Sequence, residues 1–207
     1  TTSSISVNAL TLNSKTDLNG SESIVVTASD GNGGMVKDTF VVTITPVNDA
    51  PSLAAGANVT AAEEVNYSAT WATNLKKGPT SDEDTQALTF VVDSISNSAI
   101  FSTQPALSSS GLLTFTGALN QVGIAKVYYY LKDNGGTDNG GVERSVQDSF
   151  TITLTNVNDD PVVANAIADT IVLEDFGSKL YIADLNTVFS DPDGNTLNYA
   201  ISLLNNK

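Results

Sequence analysis

The 207-residue sequence has no cysteine, no histidine, one methionine, one tryptophan and only nine lysine or arginine residues. Without cysteine it can build neither a disulfide framework nor a thiolate metal site. Without histidine it can hold no Ser-His-Asp or Cys-His nucleophile system and no imidazole-ligated zinc. The shortage of basic side chains, set against 23 acidic ones, gives a formal net charge of -14. Such a surface repels a polyphosphate backbone, so nucleic acid is not an expected partner. Apolar runs are short: none approaches the roughly 20 residues that span a bilayer, and no membrane insertion is expected. The opening TTSSISVNAL has neither the charged n-region nor the apolar core of a signal peptide. The chain reads as an internal piece of something longer.

What the sequence does contain is alternation. Phe40, Val42 and Ile44 alternate with Val41, Thr43 and Thr45, and Phe150, Ile152 and Leu154 follow the same pattern. Ala125, Val127, Tyr129 and Leu131 alternate with Lys126, Tyr128, Tyr130 and Lys132. This is the period of a strand with one buried face. Asn19-Gly20, Asp30-Gly31, Asn139-Gly140 and Asp193-Gly194 stand between the strands as turn signals. No stretch has a helical period, and the pattern predicts an all-β, immunoglobulin-type antiparallel sandwich.

The sequence also repeats itself. A shift of 110 lays Val47, Asn48, Asp49 and Pro51 on Val157, Asn158, Asp159 and Pro161, and Glu64 on Glu174. After a one-residue gap SDEDTQALTF (81–90) falls on SDPDGNTLNY (190–199), and DTFVVTITPVND (38–49) falls on DSFTITLTNVND (148–159). Before the hairpin, a shift of 103 lays Leu10 and Leu12 on Leu113 and Phe115, so the second hairpin carries seven extra residues. The phase predicts three units: 1–47 the C-terminal half of a repeat, 48–157 a complete repeat, and 158–207 the N-terminal half of a further one.

In SDEDT and SDPDG two carboxylates sit at i and i+2. An extended segment would aim both to one side, where they would repel unless a cation lay between them. Aspartate, asparagine and exposed carbonyl oxygens suit a hard ion taking six to eight oxygen ligands, and calcium more than magnesium, which keeps its own waters.

The order of an early glutamate, a DxD, an aspartate after a strand (LKD) and a closing VND-x-P resembles cadherin repeats, most closely bacterial cadherin-like and dystroglycan-type cadherin-like tandem repeats. The resemblance implies Ca2+ held between successive repeats. At the first junction it implies Asn48, Asp49, Asp82, Asp84 and Asp133 as ligands; at the second, Glu64, Asn158, Asp159, Asp191 and Asp193, with Glu63 and Asp160 as lesser candidates. GLLTFTGALNQVG has no counterpart to the family's LDRE motif, and Pro46 and Asn156 stand where its linker begins with aspartate, which predicts fewer or weaker sites. The function implied is a calcium-stiffened extracellular spacer or adhesion repeat of a large bacterial surface or secreted protein, its partners being neighbouring repeats.

An alternative is a carbohydrate-binding module of a polysaccharide-degrading system. Tyr128 and Tyr130 fall on the outward face of their strand beside Lys126 and Lys132, where rings could stack on a sugar and amines could meet its hydroxyls. Trp71 is expected in the core. No enzyme is expected, because the acidic groups recur at the ends of a repeating unit rather than meeting in one cleft. The half-repeats expose inner faces, Phe40, Val42 and Ile44 in one and a predicted strand with Leu197, Tyr199 and Ile201 in the other. Head-to-tail self-association, with 158–207 of one molecule completing 1–47 of the next, is one way to cover them; otherwise the halves are expected to fold poorly or to associate nonspecifically.

Overall fold

The computed structural model describes residues 2–6 and 8–202. At the N-terminal end β1 (Thr2–Ser6) pairs with β2 (Ala9–Asn13), and β3 (Gly20–Ser29) pairs with β4 (Met35–Ile44). The middle of the chain adds β5 (Ser52–Ala54), β6 (Val59–Ala62), β7 (Asn66–Thr70), β8 (Thr73–Lys76) and β9 (Thr89–Ile95). It continues with β10 (Phe101–Leu107), β11 (Leu112–Gly117), β12 (Gly123–Lys132) and β13 (Asp148–Thr155). Beyond the second linker only β14 (Val162–Val163) and β15 (Phe189–Ser190) are strands among the described residues.

The middle strands make a sandwich. One sheet has the order β6-β13-β12-β9 and the facing one β10-β11-β7, with β5-β8 as a two-stranded flank. All pairings are antiparallel except β6 with β13, which run parallel in the register Ile152↔Val59 to Thr155↔Ala62. The predicted alternation sets the burial: Ala125, Val127, Tyr129 and Leu131 are at most 1% exposed, and Leu113, Phe115, Ile152 and Leu154 close the same core. Each such side chain contributes about 1.5–3 kcal/mol when removed from water. Trp71 is in the core as expected, 4.2 Å from the Phe150 ring and edge-on to Tyr129, with its indole N–H donated to the Ala57 carbonyl.

Backbone geometry recurs at the same spacing. Asn8 and Gly111, Asp17 and Asn120, and Gly20 and Gly123 are pairs 103 apart, and all six have positive φ. Gly20 pairs with Ile44 as Gly123 pairs with Leu154, so the hairpin β3–β4 has the register of β12–β13.

Leu197, Tyr199 and Ile201 depart from expectation, for the backbone there is irregular. Their counterpart in the complete sandwich is β9, which exists as a strand through its bonds to β12. Among the described residues of the last segment no strand pairs with them, although Tyr199 packs on Phe189 of β15, and an unpaired strand is not stable in water.

Candidate functional site

At the second linker the parallel pairing of β6 with β13 runs one residue past β6, where Glu63 N–H donates to the Thr155 carbonyl. This carries the Glu63 side chain, 1% exposed, under the linker, where Oε1 accepts the Val157 N–H at 3.2 Å. Asp159 donates its N–H to Asp193 Oδ2 at 2.6 Å. Asp193 is held by a turn with Pro192 at its second position, which presets φ. Asp191 accepts from the N–H groups of Asp193 and Asn195 at 2.9 and 3.2 Å, and its carbonyl accepts from Gly194 N–H. Asn195 then donates to Asn158 Oδ1 at 2.9 Å.

Carboxylate oxygens of Glu63, Asp159 and Asp193 therefore lie within 4.8 Å of one another, from three separate segments. Glu63 Oε2 and Asp159 Oδ2 are buried and accept no hydrogen bond. A buried charged oxygen without a partner is costly. The Asp159 carboxyl is pushed above its usual range, first by desolvation and then by Asp193, Glu63, Asp191 and Asp160. Three converging carboxylates with two orphaned oxygens fit a hard divalent cation, and no nitrogen or sulfur donor is present to favour a softer one.

Glu63, the lesser of the two glutamate candidates, reaches this cluster, and Glu64 does not. Glu64 is exposed at φ 62, a left-handed residue that turns the chain away after β6. Asp175 has the same φ of 62, so the acidic pair Glu63-Glu64 matches Glu174-Asp175 at a shift of 111 and not 110. The placement of the gap also changes. Asp159 to Asp193 and Asp49 to Glu83 are the same bond at a shift of 110, whereas Asn195 to Asn158 and Gln86 to Asn48 match at 109. The missing residue thus falls between Glu83 and Gln86, and Asp193 is the counterpart of Glu83 rather than of Asp84. Asp191 orients the turn and Asn158 ties it down; Asp160 is exposed beside them.

The first linker is organised differently. SDEDT is not extended: residues Ser81–Glu83 form a 3-10 turn. Successive side chains in such a turn point about 120° apart, so Asp82 and Asp84 diverge and the residue between them faces inward. Glu83 is 3% exposed and its Oε1 accepts the Asp49 N–H at 2.5 Å. Asp82 accepts from Thr80 and from Asn19, the latter at 2.6 Å. Asp84 is exposed, and its carbonyl accepts from Lys77. Asp133, 2% exposed, accepts from Asn48 Nδ2 and Gly135 N–H, and Asn48 also donates to the carbonyls of Gly136 and Val142.

Burial raises Asp49 first, then Asp17 and Asp82 raise it further. Glu83 is raised by burial, against the lowering bond from Asp49 N–H, and raised again by Asp49, Asp82 and Asp133. Among the described residues, however, no three carboxylates converge within 4.8 Å at this linker. Glu83 and Asp17 are the residues sequence reasoning missed. Asp17 lies on the cavity of about 230 Å³ between Asn19, Pro46, Asp49 and Asp82.

Tyr128 and Tyr130 lie on the outer face of β12, half-buried, on either side of the core residue Tyr129. Lys126 Nζ sits 5.1 Å over the Tyr128 ring and the Arg144 guanidinium 5.6 Å over Tyr130. Lys132 pairs with Glu143 at 2.9 Å. Each of the two rings therefore has a cation over it, which a stacking sugar would have to share or displace.

Fold and site define an all-β sandwich with acidic groups gathered at the two segments that flank it. No family model and no curated protein matches the chain. Among solved structures it is similar to human protocadherin-24 EC1-2, with a TM-score of 0.48, 15% identity, and 66% of each chain covered. It is also similar to human mucin-like protocadherin EC1-2, with a TM-score of 0.42, 13% identity, 75% of this chain and 78% of the other. The chain spans 66%, just under two thirds, of the length of the protocadherin-24 structure. Among the described residues no helix is long and apolar enough to cross a membrane.

Proposed function

We propose that the chain is a segment of a cadherin-like tandem array that works as a calcium-stiffened extracellular spacer or adhesion element of a large bacterial surface or secreted protein. The observation that carries this reading is the meeting of Glu63, Asp159 and Asp193 within 4.8 Å, with two buried oxygens unpartnered. Glu63 belongs to the sandwich, Asp159 to the linker and Asp193 to the following segment. A divalent ion shared by the three ties one repeat to the next, because removing it leaves like charges facing each other across the linker. Metal affinity becomes interdomain rigidity, and rigidity is what a spacer contributes.

At the second linker Glu63, Asp159 and Asp193 would hold the ion, with Asp191 fixing the turn. At the first, Asp49, Asp82 and Glu83 are the nearest carboxylates. A glycan platform on Tyr128, Tyr130, Lys126 and Lys132 has less support, since Lys126 and Arg144 cover the rings. Catalysis has no support in the arrangement of these groups.

Calorimetric titration of the 207-residue chain with calcium is the test, paired with small-angle scattering in calcium and in excess chelator. Saturable heat, and a longer, stiffer particle in calcium, are expected. No heat of binding together with superimposable scattering profiles would reject the reading.

A further inference from the structure

We propose that the loop between β11 and β12 is a docking surface for the 191–194 turn of the segment that follows, so that the second junction closes through an apolar contact where the first closes through a polar one. Both junctions lie inside the chain, and the first supplies the template. There the loop between β2 and β3 reaches across the linker. Asn19 donates its side-chain amide to Asp82 Oδ2 at 2.6 Å, and residues 14–19 line a cavity shared with Pro46, Asp49 and Asp82. Two backbone arrangements carry the same placement to the second junction. Gly123 pairs with Leu154 as Gly20 pairs with Ile44, which sets the loop 117–122 against the second linker as 14–19 is set against the first. Asp159 donates its N–H to Asp193 as Asp49 does to Glu83, which fixes the 191–194 turn on its linker as residues 81–84 are fixed on theirs. Asn19 falls on Val122 at a shift of 103, and Asp82 falls on Pro192 at a shift of 110. The amide and carboxylate that meet at one junction are therefore a valine and a proline at the other.

The exchange extends around that pole of the sandwich. Thr16, Asn19 and Ser21 give way at the same shift to Leu119, Val122 and Ile124, which are 67%, 49% and 62% exposed. Val65 is exposed at the same end, because β11 finishes against the turn after β6, where a Cβ on Gly117 would stand 2.9 Å from Glu64 N. Val157 of the linker and Pro192 of the facing turn are exposed as well. Apolar side chains gathered at one end of a chain of net charge -14 mark a contact surface.

The occupant is the chain's own following segment, because the bond from Asp159 to Asp193 already holds the turn at this pole and a partner in trans would have to displace it. Closure takes Leu119, Val122 and Pro192 out of water, and that gain needs no ion. It adds to the spacer reading a second source of stiffness, independent of the carboxylates of Glu63, Asp159 and Asp193.

The chain has no cysteine, so paired substitutions report the contact directly. The experiment combines Val122→Cys with Pro192→Cys in one full-chain variant and Asn19→Cys with Asp82→Cys in another. Disulfide formation is followed under mild oxidation in dilute solution, in calcium and in excess chelator. A bridge requires Cα atoms about 4.4–6.8 Å apart. Both pairs are expected to close at comparable rates. Adding Leu119→Asn is expected to slow the Val122/Pro192 pair by about tenfold, because a leucine's burial is lost, and to leave the Asn19/Asp82 pair unchanged. Closure at the same rate in both buffers supports the apolar contact and counts against the calcium reading alone, whereas closure confined to calcium supports both. A Val122/Pro192 pair that stays reduced in both buffers overturns the proposal, whether or not the Asn19/Asp82 pair closes. A pair that closes as fast with Leu119→Asn as without it overturns it too, since proximity and not docking would then join the two segments.

Discussion

Replacing Glu63 by Gln should reverse the sign of its effect on stability when calcium is added. Glu63 is 1% exposed, with Oε1 bonded to Val157 N–H and Oε2 facing Asp159 and Asp193 without a partner. Glutamine has the same shape and keeps the Oε1 acceptor. Its amide turns the third carboxylate into a donor to the other two. A hydrogen bond to a charged group contributes about 1.5 kcal/mol at the lower end of its range, so in chelator the variant should be the more stable protein. Calcium at about 1,000 times Kd stabilises the wild type by about 4.1 kcal/mol. If loss of one carboxylate weakens binding about 100-fold, the upper end of what even outer-shell partners cost, the same calcium stabilises the variant by about 1.4 kcal/mol. The difference of about 2.7 kcal/mol exceeds the gain of about 1.5, leaving the wild type ahead by about 1.2 kcal/mol. At about 2–4 °C per kcal/mol for a chain of this size, the variant should melt a few degrees above the wild type in chelator and a few degrees below it in calcium. Calorimetric melting of both proteins in calcium and in chelator checks this. The reasoning fails if the variant shifts Tm in the same direction in both buffers.

Other outcomes follow from the core and the linkers. Trp71→Ala, which removes the ring packed on Phe150 and Tyr129, should cost about 3–5 kcal/mol in urea unfolding. Gly56→Ala places a Cβ 2.4 Å from the Trp71 carbonyl oxygen and should cost about 1–3 kcal/mol by the same assay. The Tyr129 hydroxyl is raised to about 12 by burial and by Asp148, so an ultraviolet pH titration of wild type against Tyr129→Phe should show the missing ionisation near pH 12. The sign follows: above pH 10 the unfolded chain loses that proton and the folded one keeps it, so stability falls as pH rises from 10 towards 12, and Tyr129→Phe should flatten that fall. Gly135→Ala drives a Cβ to within 1.9 Å of Asn48 Oδ1, so it should release Asn48 from Asp133 and lower Tm without changing the calcium heat at the second linker.

Strand alternation was legible because one buried face imposes a period of two on every sheet residue, and Ala125 through Leu131 are buried as that period requires. The internal spacing of VND and the turn residues coincides with matching backbone positions, positive φ and the same linker bond among them. At both linkers the acidic side chain that faces the linker aspartate is one residue away from the one the strand period favours, each time for a reason that periodicity does not carry. Glu64 turns left-handed at the end of β6 and leaves Glu63 facing the linker, a shift marked in the sequence only by a second acidic pair at Glu174-Asp175. Asp82 and Asp84 belong to a tight turn rather than a strand, so the middle residue, Glu83, faces Asp49. The predicted strand through Leu197, Tyr199 and Ile201 is absent for a third reason, since β structure is decided by neighbours and not by propensity alone.

The two linkers share a phrase and a backbone bond, yet their chemistry differs. In each, the linker aspartate donates its N–H to a carboxylate 34 residues on, Glu83 in one and Asp193 in the other. At the second linker Asn158 is bonded from the side by Asn195, and Glu63 comes in beneath, so carboxylates meet carboxylates. At the first, Asn48 turns inward and its amide donates to Asp133, Gly136 and Val142 while accepting from Gln86. That one neutral side chain supplies donors on three sides, and Asn19 donates to Asp82. The first linker is nevertheless not fully satisfied, because Glu83 Oε2 and Asp133 Oδ2 are buried without a partner, as Glu63 Oε2 and Asp159 Oδ2 are at the second. The difference is therefore one of convergence: amides stand between the carboxylates at the first linker, whereas at the second three carboxylates face one another directly.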